Sequence, residues 1–157
     1  MKDKDLVDVF QGKAAGHVYS RSSSASSVSL QNILADLEDG IAAITFSTGM
    51  AAISATFLSL LRAGDHIIMS QFLFGNTSSL ASTMQGLGIQ ISYVDVTDVQ
   101  NVAAAITPET KLVYAETIAN PATQVADLSA IGQLCEQSKL LFVVDNTMTP
   151  ANIFSPK

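Results

Sequence analysis

The chain alternates between short apolar runs and segments whose apolar residues recur at helical spacing. The runs that predict strands cover residues 42–46, 66–70, 89–94, 112–116 and 140–144. The helical patterns cover residues 30–37, 50–61, 77–85, 98–105 and 127–139. Apolar strands that alternate with helices are typical of a mostly parallel sheet buried under helices on both faces. We therefore predict an α/β fold of this architecture.

Two segments before the first predicted strand have weaker patterns. Residues 6–10 form a short amphipathic piece, and residues 22–29 are rich in serine, which is typical of a flexible linker. Gly40 follows the helical pattern at residues 30–37, at the position of a C-cap glycine. This first substantial helix is predicted at the edge of the domain.

The stretch at residues 42–61 passes from an apolar run into a helix through Ser47, Thr48 and Gly49. Such a turn leaves N–H groups unpaired at the positive pole of the helix dipole, so it suits an anion, phosphate above all. The hydroxyls of Ser47 and Thr48 add donors, and Gly49 allows a ligand to approach the backbone closely. The alternative is an ordinary turn in which Thr48 only caps the helix.

The composition excludes several classes of function. The 157 residues are 48% hydrophobic and 14% charged, with a net charge of −6, which argues against binding to nucleic acid or an anionic membrane. No apolar stretch is a convincing membrane span, and the charged start lacks the apolar core of a signal peptide. The single cysteine, Cys135, fits a reducing cytoplasm and is interpreted as a core residue. His17 and His66 stand far apart, so no metal site is expected.

Asp145 directly follows the apolar run at residues 140–144. A partly desolvated carboxylate at that position needs a cationic or hydrogen-bonding partner to remain ionised. The protonated ring nitrogen of pyridoxal phosphate is such a partner, and a carboxylate beside it lets the ring act as an electron sink. Residues 47–49, Phe74 and Asn120 also follow predicted strands, which places them at the same edge of a parallel sheet. For Asp145 taken alone, a helix or turn cap and a metal ligand remain alternatives.

Six motifs carry a resemblance to a known family. They are Tyr19-Ser20-Arg21, Leu37-Glu38, Phe46-Ser47-Thr48-Gly49-Met50-Ala51-Ala52, Leu73-Phe74-Gly75-Asn76-Thr77, Glu116 with Asn120-Pro121, and Val144-Asp145-Asn146-Thr147. In this order and spacing, across residues 17–150, the chain resembles the amino-terminal part of the pyridoxal-phosphate enzymes of cysteine and methionine metabolism. That family includes cystathionine synthases and lyases, methionine γ-lyase and the homoserine-ester sulfhydrylases. The resemblance implies part of the large cofactor-binding domain of a fold-type I enzyme.

The resemblance also implies roles around the cofactor. The implied cofactor-binding residues are Ser47, Gly49, Met50, Phe74, Asn120, Asp145 and Thr147. The backbone amides of Gly49 and Met50 would hold the cofactor phosphate. Phe74 would stack on the pyridine ring, where many members have a tyrosine. Asn120 would lie near the ring hydroxyl, and Asp145 would pair with the ring nitrogen.

Active sites shared between subunits are a further implication. Because the active sites of the family are shared across a dimer interface, the resemblance implies that Tyr19 and Arg21 would reach the cofactor phosphate of a neighbouring subunit. An arginine suits this role, since its fork matches phosphate geometry. We therefore expect a homo-oligomer, a dimer or a tetramer. Residues 1–40 would form an amino-terminal arm and first helix with intersubunit contacts, and residues 41–157 a partial pyridoxal-phosphate-binding domain.

The chain departs from the family pattern in three places. Ser24-Ala25-Ser26 replaces the usual Asn-Pro-Thr, and the stretch after Asp145 is shorter than usual. The Schiff-base lysine, in a Ser-x-Thr-Lys motif, is expected beyond Lys157. The carboxyl-terminal domain that binds the substrate carboxylate is expected there too. The 157 residues alone are therefore expected to be inactive.

The implied function is that of a transferase or lyase in the metabolism of sulfur amino acids. The phenylalanine at position 74 resembles the pattern of the O-succinylhomoserine sulfhydrylase branch. We therefore predict a homoserine-ester sulfhydrylase that exchanges the γ-substituent to make homocysteine. A methionine or cystathionine γ-lyase is the alternative within the enzymes. The alternative from another class is a non-catalytic paralogue or interaction module, which the replacement at residues 24–26 favours slightly. The third alternative is a generic α/β domain that binds a phosphate ligand other than pyridoxal phosphate.

Overall fold

A computed structural model describes residues 3–17, 19–21 and 23–156, and within residues 3–5 it describes the backbone alone. Ser22, in the predicted linker, and Lys157 lie outside the described residues. The chain divides into two compact units, Met1–Phe46 and Ser47–Lys157. No helix in the described ranges is both long and apolar enough to cross a membrane.

The first unit contains helices α1 (Asp3–Phe10) and α2 (Ala25–Leu37). The predicted serine linker is wrong from residue 25 onward, because α2 begins there. Ser24 is its N-cap, and the Ser24 hydroxyl accepts a hydrogen bond from the Ser27 N–H at 3.2 Å. A serine at this position satisfies one of the donors that a helix start leaves free, which favours helix over linker.

The end of α2 differs by one residue from the prediction. The left-handed residue is Asp39, with φ of 47°, and Gly40 follows it. The Gly40 N–H donates to the Ala35 carbonyl at 2.8 Å, and the Asp39 N–H donates to the Asp36 carbonyl at 3.2 Å. This is a Schellman ending, in which an aspartate takes the conformation more often given to glycine.

Residues 42–46 do not form the predicted strand. Ile44 is 75% exposed and Phe46 is 44% exposed, and no strand within the described residues pairs with this segment. A strand is stable only when its N–H and C=O groups find a ladder partner, and β propensity alone does not supply one. The sheet therefore has four strands instead of the five that the pattern predicted.

The second unit is a parallel sheet with helices between its strands. Its elements are α3 (Gly49–Leu60), β1 (His66–Ser70), α4 (Gly75–Gly86), β2 (Gln90–Val94), α5 (Val99–Ala104), β3 (Thr110–Glu116), α6 (Leu128–Ser138) and β4 (Leu141–Asp145). The strand order is β2-β1-β3-β4, and each neighbouring pair is parallel. The predicted α/β architecture is confirmed. The start of α4 falls two residues earlier than predicted, at Gly75 instead of Thr77.

Each face of the sheet packs against its own helices. One core contains Phe57 of α3, Met84 of α4 and Tyr114 of β3. The other contains Val113 of β3 together with Cys135 of α6, which confirms the interpretation of the cysteine as a core residue. Strands β1 and β3 are buried almost throughout. The edge strands β2 and β4 are only half-buried, so full burial is confined to the central strands.

The carboxyl ends of the strands lie along one edge of the sheet. Glu116 ends β3 and Asp145 ends β4, and the two residues are register partners. Side chains alternate between the faces of a strand, so Tyr114 and Glu116 share the face on which Val143 and Asp145 lie. This arrangement brings two carboxyl groups and a phenol to one corner of the second unit.

Candidate cofactor site

Asp145 is held from two directions. On one side, Thr147 donates its N–H at 3.0 Å and its hydroxyl at 2.5 Å to Oδ1 of Asp145. On the other side, the Tyr114 hydroxyl donates to Oδ2 at 3.1 Å. Three hydrogen bonds therefore reach its two carboxylate oxygens. Asp145 is thus a fixed acceptor at the end of a strand.

Tyr114 reaches Asp145 from inside the core. Its side chain is 1% exposed, and its ring meets that of Phe57 edge-on, with centroids 5.0 Å apart. Burial, and then the charges of Asp145 and Glu116, raise the pKa of Tyr114 well above its usual range. The phenol therefore stays protonated and remains a donor. Sequence reasoning missed this residue, although it lies two positions before Glu116 and so on the same face.

Glu116 connects the strand end to the loop before α4. Its Oε1 accepts a hydrogen bond from the Phe74 N–H at 2.7 Å, and its side chain is buried. Burial raises the pKa of Glu116, the N–H of Phe74 lowers it, and the Asp145 charge raises it further. The N–H of Asn120 opposes that increase to a smaller extent. Glu116 thus anchors the backbone of the residue predicted to stack on a ring.

A cavity of about 170 Å³ opens at this corner. It is lined by Phe74, Glu116, Ile118, Asn120, Asp145, Thr147 and Met148. Four of the residues predicted from the sequence therefore meet around one space: Phe74, Asn120, Asp145 and Thr147. The Phe74 side chain is 43% exposed, so its ring is accessible.

A second cavity, of about 240 Å³, adjoins the first, since Asp145 and Thr147 line both. It extends to Gly49 at the start of α3. The Thr48 hydroxyl accepts from the Ala51 N–H at 3.0 Å. The N–H groups of Gly49 and Met50 lie in the first turn of α3 and therefore have no intrahelical acceptor. The helix start therefore has both the predicted cap and free donors.

Not every predicted residue lies on these cavities. Ser47 and Met50 line neither of the two. Tyr19 and Arg21 belong to the first unit, where the Arg21 guanidinium lies 5.3 Å from the Tyr19 ring centroid. Their predicted role toward a neighbouring subunit stays a prediction. In the part of the chain that the structure describes, no three His, Cys, Asp or Glu side chains are grouped to hold a metal ion.

Comparison with known proteins identifies the family. The family profile described as "Cys/Met metabolism PLP-dependent enzyme" matches residues 1–156. The chain belongs to this family. It is 40% identical over 140 residues to the L-methionine gamma-lyase of Pseudomonas deceptionensis, an alignment that covers 88% of this chain and 35% of that protein. It is 38% identical over 143 residues to the O-acetyl-L-homoserine sulfhydrylase of Corynebacterium glutamicum, covering 90% of this chain and 33% of that protein.

The fold agrees with the sequence match. The solved cystathionine gamma-lyase of Lactobacillus plantarum, crystallised with L-serine, superimposes with a TM-score of 0.87 at 36% identity. That superposition covers 90% of this chain and 37% of the other. The chain thus spans about a third of the length of the curated relatives it matches. The resemblance drawn from the six motifs is confirmed, and pyridoxal phosphate is the cofactor of the family.

The residues of the site fit this cofactor. Pyridoxal phosphate carries a planar ring, a ring nitrogen that bears a proton, and a phosphate. The corner offers an accessible aromatic ring in Phe74, a hydrogen-bonded carboxylate in Asp145 and free backbone donors at Gly49. A Cβ built on Gly49 would meet no atom within 4 Å, so space remains beside those donors.

Proposed function

We propose that the second unit binds pyridoxal phosphate at its two adjoining cavities. The N–H groups of Gly49 and Met50 hold the phosphate, and the Ser47 hydroxyl adds a donor. Phe74 stacks on the ring, and Asp145 accepts a hydrogen bond from the ring nitrogen. The observation that carries this proposal is the hydrogen-bonded Asp145, which lines both cavities.

The remaining residues of the cavity position these groups. Thr147 fixes Oδ1 of Asp145, and Glu116 fixes the backbone of Phe74. Asn120, on the opposite loop, supplies an amide toward the ring hydroxyl. When bound, the cofactor supplies an electron sink that stabilises negative charge at the α-carbon of an amino acid. An ionised Asp145 contributes by keeping the proton on the ring nitrogen.

We further propose that the whole protein exchanges the γ-substituent of a homoserine ester. In this reaction hydrogen sulfide supplies the sulfur. The bond from Cγ to the ester oxygen breaks, a bond from Cγ to sulfur forms, and the products are homocysteine and a carboxylic acid. The similarity to the Corynebacterium sulfhydrylase and the phenylalanine at position 74 support it. The proton transfers require a lysine, expected beyond Lys157.

A γ-lyase is the second candidate. The similarity to the L-methionine gamma-lyase of Pseudomonas deceptionensis supports elimination without replacement. The two reactions are distinguished by supplying O-acylhomoserine with sulfide, or methionine alone, to the protein that contains this chain and the lysine. Homocysteine from the first mixture supports the sulfhydrylase, and methanethiol from the second supports the lyase.

We also propose a homo-oligomer in the cytoplasm, a dimer or tetramer in which Tyr19 and Arg21 contact the cofactor phosphate of a neighbouring subunit. The support is an apolar surface on the first unit, where four large side chains of α2 are exposed. These are Leu30, Ile33, Leu34 and Leu37. Sedimentation of the whole protein tests the assembly, and Arg21→Ala should lower cofactor affinity if the site is shared.

The cofactor site itself is tested by binding to the 157-residue chain. Asp145→Asn removes the charge with little change of shape, and we expect about tenfold weaker binding of pyridoxal phosphate, which corresponds to about 1.4 kcal/mol. Asp98→Asn is the matched control, since Asp98 caps α5 away from both cavities and asparagine caps equally well. Equal affinity of Asp145→Asn and the parent chain would refute the site. Turnover of O-acylhomoserine with sulfide by the 157 residues alone would refute the role given to the lysine.

A further inference from the structure

Tyr114 contacts Asp145 but lies outside the set of residues assigned so far to the cofactor. We propose that Tyr114 is a positioning residue, which fixes the carboxylate of Asp145 so that one acceptor position of Oδ2 faces the ring nitrogen of the cofactor. This inference rests on the proposed function, because it assigns an atom to the contact between Asp145 and the ring.

The hydrogen bonds at Asp145 determine which of its oxygens can accept from the ring nitrogen. A carboxylate offers about four acceptor positions, two on each oxygen. Oδ1 receives the N–H and the hydroxyl of Thr147, so both of its positions are used. Among the described residues, Oδ2 receives one hydrogen bond, from the Tyr114 hydroxyl. The open acceptor position is therefore on Oδ2, beside the bond from Tyr114.

The position of the Tyr114 hydroxyl is fixed by the core. Its ring is 1% exposed and is packed edge-on against Phe57, which is fully buried. The register pairs Tyr114 with Val143, and Asp145 lies two residues further along β4 on the same face. Because the ring is packed in the core, its hydroxyl donates to Oδ2 from a fixed position and restricts the side-chain rotamer of Asp145.

The same bond acts on charge as well as on position. Tyr114 remains a neutral donor, because burial and the neighbouring carboxylates of Asp145 and Glu116 disfavour its anion. Donation to Oδ2 partly offsets the repulsion between Asp145 and Glu116, which end adjacent strands. Removing the hydroxyl should loosen Asp145 while leaving the core packing of the ring intact.

Tyr114→Phe tests this, because it deletes the hydroxyl and keeps the ring. The Hα–Hβ couplings of Asp145, measured by NMR without cofactor, should change from those of one rotamer to those of an average. Binding of pyridoxal phosphate should weaken about fivefold to tenfold. With cofactor labelled with nitrogen-15 in the ring, the ring nitrogen signal should move toward that of the unprotonated form.

Tyr93→Phe is the matched control. Tyr93 lies on β2 and is 44% exposed, and its hydroxyl makes no hydrogen bond to a described residue. The variant should match the parent chain in all three measurements. In the Asp145→Asn background, Tyr114→Phe should cause no further loss of affinity, because its effect passes through the carboxylate.

The outcomes separate this inference from the proposed function. Unchanged Asp145 couplings in Tyr114→Phe, with cofactor binding intact in the parent chain, would overturn the inference alone. An additional loss in the Asp145→Asn background would also overturn it, since Tyr114 would then act on the core. Failure of the parent chain to bind pyridoxal phosphate would overturn the proposed function and this inference together.

Discussion

Replacing Glu116 by glutamine should raise the stability of the protein at neutral pH. Glu116 is 7% exposed, and burial is the largest cause of its raised pKa. The glutamine side chain has nearly the same shape as the protonated carboxyl group. It keeps an oxygen that can accept the Phe74 N–H, which now donates to Oε1 at 2.7 Å. The substitution therefore removes the unfavourable charge and keeps the contact.

The sign of the pH dependence follows from linkage. With a folded-state pKa above the ordinary value of 4.5, the native chain binds more protons at Glu116 than the unfolded chain does between those two pKa values. Stability from this group is therefore greatest at low pH and is lost as the pH rises through the window. The stability difference between Glu116→Gln and the parent chain should grow from pH 4.5 upward and become constant above the folded-state pKa.

Alanine at this position separates the charge from the hydrogen bond. Glu116→Ala leaves the buried N–H of Phe74 without its acceptor, which costs about 1–3 kcal/mol, and removes a buried methylene, which costs about 0.8 kcal/mol. We expect it to be about 2–4 kcal/mol less stable than Glu116→Gln. Urea unfolding at pH 5 and pH 8, followed by circular dichroism, measures both variants, with the exposed Glu136→Gln as control. A Glu116→Gln chain less stable than the parent at pH 8 would refute the reasoning.

Three further predictions concern the second unit. Phe57→Ala should destabilise the fold by about 3–5 kcal/mol, because the ring is fully buried; urea unfolding checks this. Burial lowers the pKa of His66, so the free energy of unfolding should fall as the pH drops below 6.5. His66→Gln should remove this pH dependence, whereas His17→Gln, at an exposed position, should keep it. Thr48→Ala should cost about 1 kcal/mol by removing the cap on the Ala51 N–H, and unchanged thermal unfolding would contradict that role.

The sequence predicted those parts of the fold that local pattern determines. The central strands β1 and β3 were found because they are buried on both faces and therefore apolar almost throughout. The helix cap at Thr48 was predicted because capping is a contact between residues three apart in the sequence. The strand at residues 42–46 was predicted wrongly, since a strand also requires a ladder partner that a local pattern does not reveal.

The sequence predicted those residues of the candidate site whose position depends only on the order of strands and helices along the chain. Phe74 and Asn120 follow β1 and β3, Asp145 ends β4, and a parallel sheet brings such residues to one edge. Tyr114 was missed because its hydroxyl meets Asp145 across two strands, and that meeting depends on the register of β3 with β4. In the sequence, an aromatic residue within an apolar strand predicts only a place in the core.

The edge-on contact between Phe57 and Tyr114 has a consequence for ligand choice. Phe57 is on α3, the helix whose start we propose as the phosphate site, and Tyr114 donates to Asp145, the carboxylate that we propose as partner of the ring nitrogen. In the proposed complex, the phosphate and the ring nitrogen are therefore bound by two groups, the start of α3 and Asp145, that are connected through the packed rings of Phe57 and Tyr114. We therefore expect the site to select ligands by the distance between ring and phosphate. An analogue of pyridoxal phosphate with one more methylene between ring and phosphate should satisfy one end or the other, and not both.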